Sequence, residues 1–517
     1  MSVRIRSMLR RLFTPVVIAA GLAVVAHATA QAPPASPARP YNVVEKPIFA
    51  LQPEMQAGRV TSRQLVEAYL ARIRAYDQDG PRINAFIMLN PRALDDADAL
   101  DRERRTRGSR GPLHGIPIVI KDNYATADMP TTGGSRALAG FETGRDAFMV
   151  KKLRDAGAVI IGKTNLHELA YGITSISSMG GQTRNPYDPT RNPGGSSGGT
   201  GAAVAASFAA AGMGSDTCGS IRNPAASNNL FGIRGTMGLS SRDGIIPLSH
   251  SQDIGGPLAR TVTDLAVMLD ATVGPDPNDP LTRESEGRIR RSYLSSIGSQ
   301  ELGDVRIGVV TSLFGTAPED AEVAALVHKA LADFEALGVS VSDVVIPGYD
   351  ELIQGTSVIN AEFKFDLLDF LRQFPGAPMK SLDEIVASGK YDPAVDGVLK
   401  RAAAVESRDS AAYQAALAKR EAATDAVVAA MRGFTAFAYP TLRRKPALIG
   451  QAQGGSNCQL SATTGLPAIS IPVGFTQDGL PVGMELLGSA FGEPALLRVA
   501  YVYEQVVNPR RAPKTTP

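Results

Sequence analysis

The chain reads as an α/β protein: a single large domain with a mixed central β-sheet covered by helices on both faces. Two observations predict this. Short apolar runs alternate with helical segments along most of the chain, the pattern of layered α/β folds. At 517 residues, 44% hydrophobic and 20% charged, the chain is long enough to bury a sizeable core. No internal repeat appears.

The elements follow in order. Thr61-Ser62-Arg63-Gln64 is a capping box, and Leu65, Val66, Tyr69, Leu70, Ile73 and Tyr76 continue it as an apolar stripe at helical period. A charged helix is expected near residues 91–107. Residues 116–120 form a short apolar strand followed by the polar Lys121-Asp122-Asn123. Residues 148–156 read as helix and 159–161 as strand. Thr164 is expected to start another helix, and a further one to run over residues 200–211. Residues 270–300, rich in Asp, Pro, Gly and Ser, read as a surface connection. Residues 305–310 and 339–345 are strands flanking a helix over 319–337. Residues 358–432 are mostly helical, an elaboration of the domain's second half. Residues 434–439, 466–473 and 480–487 are strands, the last two a closing pair, and residues 494–506 are a final helix.

Residues 1–30 read as a signal peptide. Arg4, Arg6, Arg10 and Arg11 form a basic start, residues 12–26 are uncharged, and Ala28-Thr29-Ala30 is an A-x-A cleavage site. Arg10-Arg11-Leu12-Phe13 partly matches a twin-arginine signal, and an ordinary Sec signal fits as well. The apolar run of 15 residues is short for a span of about 20. A periplasmic or secreted location is expected, with no membrane anchor after cleavage. Residues 31–45 are then a Pro/Ala-rich spacer and 46–510 the catalytic domain. A net charge of +2 makes no electrostatic case for nucleic acid.

Two motif matches are rejected. Residues 157–164 satisfy the Walker A pattern, but its apolar strand lies between the glycines, where an open phosphate loop is required. Gly194-Gly195-Ser196-Ser197-Gly198 matches G-x-S-x-G, but the proline-rich residues before it read as loop, not the strand of a nucleophile elbow. His114 is expected to be structural, and His167-Glu168 to begin a helix without a zinc partner.

Two glycine-rich segments, residues 194–199 and 214–220, carry serines and lie far from any histidine in sequence. A serine needs a base to become a nucleophile. A buried lysine can serve, because desolvation disfavours its charge. Residues 217–220 make a candidate turn whose N–H groups face one point, as an oxyanion hole requires.

The motifs GPLHGIPIVIKDN, GKTN, GGQTRNP, NPGGSSGG, DTCGSIRNPA and GLPAISIPVG, in this order, resemble the amidase signature family. The spacings fit, with 75 positions from Lys121 to Ser196 and 24 more to Ser220. The resemblance is strongest over residues 111–263. It implies Ser220 as acylated nucleophile, Ser196 as bridging serine after a cis peptide, and Lys121 as general base. It further implies Thr217, Cys218 and Gly219 as oxyanion and substrate-binding positions, with Ser197, Asp216 and Arg222 holding the loops. No metal and no cofactor are implied. The substrate is a small-molecule or short-peptide amide, the look being closest to exported bacterial peptide amidases. Esterase or carbamate hydrolysis on the same site is an alternative, and so is a glutaminase subunit of the tRNA-amidating complex.

One position departs from the family: Cys218 stands where the first of two glycines before the nucleophile is usual. Cys218 and Cys458 are read as separate buried thiols, the alternative being a disulfide that locks the pocket wall to the 217–220 turn. Pairing would require a Cα separation of about 4.4–6.8 Å, which a sequence does not supply.

Overall fold

A computed structural model describes residues 41–289, 292–298 and 301–517. The proposed signal peptide and most of the spacer lie outside these residues. Tyr41 to Glu45, assigned to the spacer, are packed onto the domain: Val43 is buried, and Glu45 pairs with Arg510 at 2.8 Å.

Thirteen strands are found among the described residues. They are β1 (Phe86–Leu89), β2 (Pro117–Lys121), β3 (Val159–Thr164), β4 (Ile176–Ser177), β5 (Gly181–Gln182), β6 (Ala211–Asp216) and β7 (Phe231–Arg234), followed by β8 (Ile254–Ala259), β9 (Arg306–Val310), β10 (Ser340–Val344), β11 (Ala436–Pro440), β12 (Ala468–Phe475) and β13 (Pro481–Gly488). β4 and β5 form a short ribbon; the other eleven form one sheet in the order β1-β3-β2-β6-β8-β7-β12-β13-β11-β9-β10. β2 runs parallel to both β3 and β6, β6 antiparallel to β8, and β12 antiparallel to β13. The sheet is mixed, as expected, and helices pack on it to complete the layers.

β2, β3 and β6 are buried at every position, the situation that favours apolar or small residues without alternation. The glycines of β6 are there for a reason of space. A Cβ on Gly212 would lie 2.6 Å from Thr200 Cγ2, and one on Gly214 2.7 Å from Ser197 Oγ. The helix Gly198–Ala205 therefore sits tight on the strand that ends at Asp216.

Several expected elements are corrected. Thr164 ends β3 and starts no helix; only a single 3₁₀ turn, Glu168–Ala170, follows. The helix expected over 200–211 stops at Ala205, and residue 211 already belongs to β6. A run of Gly and Ala carries no periodicity from which to place that break. β1, β7, β8 and the helix Val262–Thr272 were not anticipated. The capping box at Thr61 is present, with Gln64 N donating to the threonine hydroxyl and the Gln64 side chain accepting from Thr61 N.

Candidate active site

Lys121 is the last residue of β2, and Asp216 the last of the neighbouring parallel strand β6. The carboxyl ends of parallel strands are where open α/β sheets bind ligands. The Gly-rich loop before the helix Gly198–Ala205 crosses the same edge, so three segments distant in sequence meet there.

Lys121 is fully buried, with Nζ 2.7 Å from Ser196 Oγ, 2.9 Å from Ser215 Oγ and 3.3 Å from Ser215 O. Burial pushes its pKa down to about 7, against the opposing pull of Asp216 and Asp253. Ser196 follows a cis Gly195–Ser196 peptide, and its carbonyl accepts from His167 N at 3.0 Å. Burial holds the His167 imidazole at a pKa of about 4, so it is neutral at pH 7. Ser197 joins the loop to both other segments. Its N–H donates to the Ser220 carbonyl at 3.1 Å, and its hydroxyl to the Ser215 carbonyl at 3.2 Å.

The turn carrying Ser220 is organised by Asp216. One carboxylate oxygen accepts from Gly219 N at 2.7 Å and the other from Ile221 N at 3.1 Å, while Arg222 Nε donates to it at 3.1 Å. Arg222 also reaches Glu485, and Arg234 lies 3.3 Å from Asp216, giving two arginines and two carboxylates that are all fully buried. Burial disfavours the Asp216 charge, but Arg222 and Arg234 outweigh it and hold the carboxyl well below the usual range. The Gly219 N–H is therefore committed to Asp216. Among the described residues, the N–H groups of Thr217, Cys218 and Ser220 and the Ser220 hydroxyl have no hydrogen-bond partner. Gly219 is correspondingly not a free oxyanion donor, which revises the expectation for that position.

The cysteines are paired, contrary to expectation: Cys218 and Cys458 form a disulfide with a Cα separation of 5.0 Å. The two residues are 240 positions apart, so the sequence offers the pairing only as an alternative and the folded distance decides it. The departure at Cys218 is tolerated because the left-handed conformation falls on the next residue. Gly219 has φ +84°, and a Cβ there would lie 2.9 Å from Cys458 Cβ.

Residues of the false Walker motif have another role. Lys163 is fully buried and pairs with Asp122 at 3.1 Å, beside Lys121. His114 is buried between Arg110 N and Leu100 O, as expected of a structural group. Ser215, Asn123, Gln252 and Asp253 all bond into the site and were not singled out from the sequence. Asn123 Nδ2 donates to Ser215 Oγ at 2.9 Å, and Thr217 Oγ1 to Asp253 Oδ1 at 2.5 Å. Ser215 and Asn123 lie beside the motif residues Asp216 and Lys121, the one signal available for them; nothing local marked Gln252 or Asp253.

Hydroxyls held against a lysine whose charge burial disfavours suit proton transfer at a carbonyl carbon, the chemistry of amide hydrolysis. The comparisons agree. The Amidase family model matches residues 64–497, so the chain belongs to the amidase signature family and is an amide-hydrolysing enzyme. The solved structure of a native peptide amidase from Stenotrophomonas maltophilia aligns with a TM-score of 0.85 at 38% identity, covering 92% of this chain and 99% of that one. A probable amidase of Arabidopsis thaliana is 32% identical over 501 residues, 92% of either chain. A glutamyl-tRNA(Gln) amidotransferase subunit of Synechococcus sp. (strain CC9605) is 33% identical over 479 residues, 89% of this chain and 96% of that one.

Proposed function

We propose that this enzyme is exported and cleaves carboxamides of short peptides or of small aryl and alkyl amines through an acyl-enzyme on Ser220. The observation that carries the chemistry is the fully buried Lys121 Nζ, 2.7 Å from Ser196 Oγ, with its pKa lowered to about 7. A neutral amine has two N–H groups and one lone pair. The Ser215 carbonyl and hydroxyl oxygens take the two N–H groups, and the lone pair faces the Ser196 O–H. Ser196 then passes its proton to Lys121 as it receives one from Ser220, whose oxygen attacks the carbonyl. The oxyanion is met by free N–H groups of the turn, those of Cys218 and Ser220 among them. The proton returns along the same path to the leaving amine, and water repeats the sequence to release the acid. Hydrogen bonds of this kind are often long in free enzymes and tighten with substrate.

The peptide-amide reading draws support from the 38% identity to the Stenotrophomonas peptide amidase over 92% of the chain. The glutaminase reading draws on the amidotransferase subunits among the relatives, and the basic, apolar, A-x-A start of the chain weighs against it. Ester or carbamate cleavage on the same site is separated by rates on matched substrates.

The pH profile tests the base. Since the reactive form of Lys121 is neutral, kcat/KM should rise about tenfold per pH unit below about 7 and level off above it. A rate flat from pH 5 to 9 would remove Lys121 from the role. Intact-mass analysis of protein from a Gram-negative periplasm tests export and the disulfide together. The expected species starts at Gln31, and gains the mass of two hydrogens on reduction. A chain retaining Met1, or no gain on reduction, contradicts the respective half.

A further inference from the structure

The loop after residue 247 is gripped by the helical half of the domain. From the helix Ile359–Arg372, Glu362 accepts the hydroxyls of Ser249 and Ser251, and Asp366 accepts His250 N at 2.7 Å. From the helix Ala411–Ala430, Arg420 donates to Ser251 O at 3.1 Å, Gln252 Oε1 at 3.2 Å, Thr356 O at 3.1 Å and Ala462 O at 2.9 Å. Gln252 is fully buried. Its Oε1 also accepts from Val358 N at 3.1 Å, and its Nε2 donates to the Thr217 carbonyl at 3.3 Å.

This arrangement allows one orientation of the Gln252 amide. Arg420 and the Val358 N–H can only donate, so the amide oxygen faces them and the NH₂ faces Thr217. The Thr217 carbonyl and the Cys218 N–H belong to one planar trans peptide, in which the two point in opposite directions. A donor fixed on the carbonyl therefore fixes the direction of the N–H. That N–H is one of the free donors of the turn, Gly219 N–H being spent on Asp216. Arg420 acts on the turn a second time through Ala462, which lies in the helix Gln459–Thr464 whose preceding residue, Cys458, is bonded to Cys218.

We propose that Gln252 is a positioning residue that aims the Cys218 N–H at the substrate oxyanion, and that Arg420 orients Gln252 for this task. The inference rests on the reading of Ser220 as nucleophile. It assigns the helical elaboration a part in the chemistry: through one loop it holds a donor of the turn in place before substrate arrives.

The test compares wild type with Gln252→Met, close in shape and lacking both hydrogen bonds, on an N-acyl amino-acid amide and on the matching peptide aldehyde, whose adduct with a serine carries the tetrahedral oxyanion. A misdirected donor should lower kcat about tenfold to a hundredfold, with KM within about threefold. The aldehyde Ki should weaken in parallel with kcat/KM. A kcat within about twofold of wild type, or a rise confined to KM, would overturn the proposal. If Gln252→Met does not fold, Gln252→Glu replaces it: its carboxylate sets an oxygen against the Thr217 carbonyl, and an equal or larger loss of kcat is expected. Failure of both to fold would assign Gln252 to the architecture alone and end the proposal. Labelling by a fluorophosphonate keeps the two readings apart. Label on Ser220 in the folded variant leaves the nucleophile assignment standing whatever the rates show, and label elsewhere removes that assignment independently of Gln252.

Discussion

Ser220→Ala should lose about 10⁴- to 10⁶-fold in kcat, the scale seen when the nucleophile of a serine hydrolase is removed. Ser196 and Lys121 would remain in place, but neither forms an acyl-enzyme in the proposed sequence, and the N–H groups of the turn would face a carbonyl with no attacker. The fold should survive, because the Ser220 hydroxyl bonds to none of the described residues and only its carbonyl, held by Ser197 N, supports the structure. Steady-state rates on a small amide and peptide mapping after treatment with a serine-directed phosphonate give the two readouts. The label should sit on Ser220 in the wild type and vanish in the variant. Label on Ser196 instead would exchange the roles of the two serines.

Arg222→Met should destabilise the protein by about 3–5 kcal/mol. Removing one partner of a buried ion pair leaves the other charged in a medium that cannot solvate it. Here two are left: Asp216 and Glu485, both without exposure to solvent. Burial already raises the Glu485 carboxyl toward its neutral form against the pull of Arg222, so its charge depends on that arginine. Asp216 would keep Arg234 but lose its nearer partner, and with it the firm hold on Gly219 N and Ile221 N that shapes the Ser220 turn. Urea unfolding should show the loss as a shifted midpoint, with activity falling along with it. A midpoint within about 1 kcal/mol of wild type would show that the cluster carries little of the stability.

The groups proposed to react were legible through the motifs that hold them: Lys121 at the end of an apolar strand, Ser196 within a glycine-rich loop and Ser220 directly after Gly219. The strand β6 was not legible. Gly212 and Gly214 lack side chains because Thr200 and Ser197 press on them from the helix and loop above, and a strand thinned in this way shows no hydrophobic alternation. The helix expected at Thr164 failed for a related reason. β3 runs on through Gly162, Lys163 and Thr164, and Lys163 is accommodated inside the sheet by partners from separate segments, the Asp122 carboxylate, the Pro130 carbonyl and the Thr131 hydroxyl.

The sequence by itself determined the fold class, the family and the three side chains at the centre of the proposed chemistry, since all of these rest on residue types at short or fixed spacing. Tertiary structure alone decided what those side chains experience. It set the depression of the Lys121 pKa, which comes from burial by many segments. It set the pairing of Cys218 with Cys458 across 240 positions. It also set which N–H groups of the turn are free, because Asp216 takes that of Gly219 while Gln252 holds the carbonyl behind that of Cys218. Each of these depends on a distance between residues far apart in the chain, and such a distance exists only once the whole sheet and its helices have closed around the site.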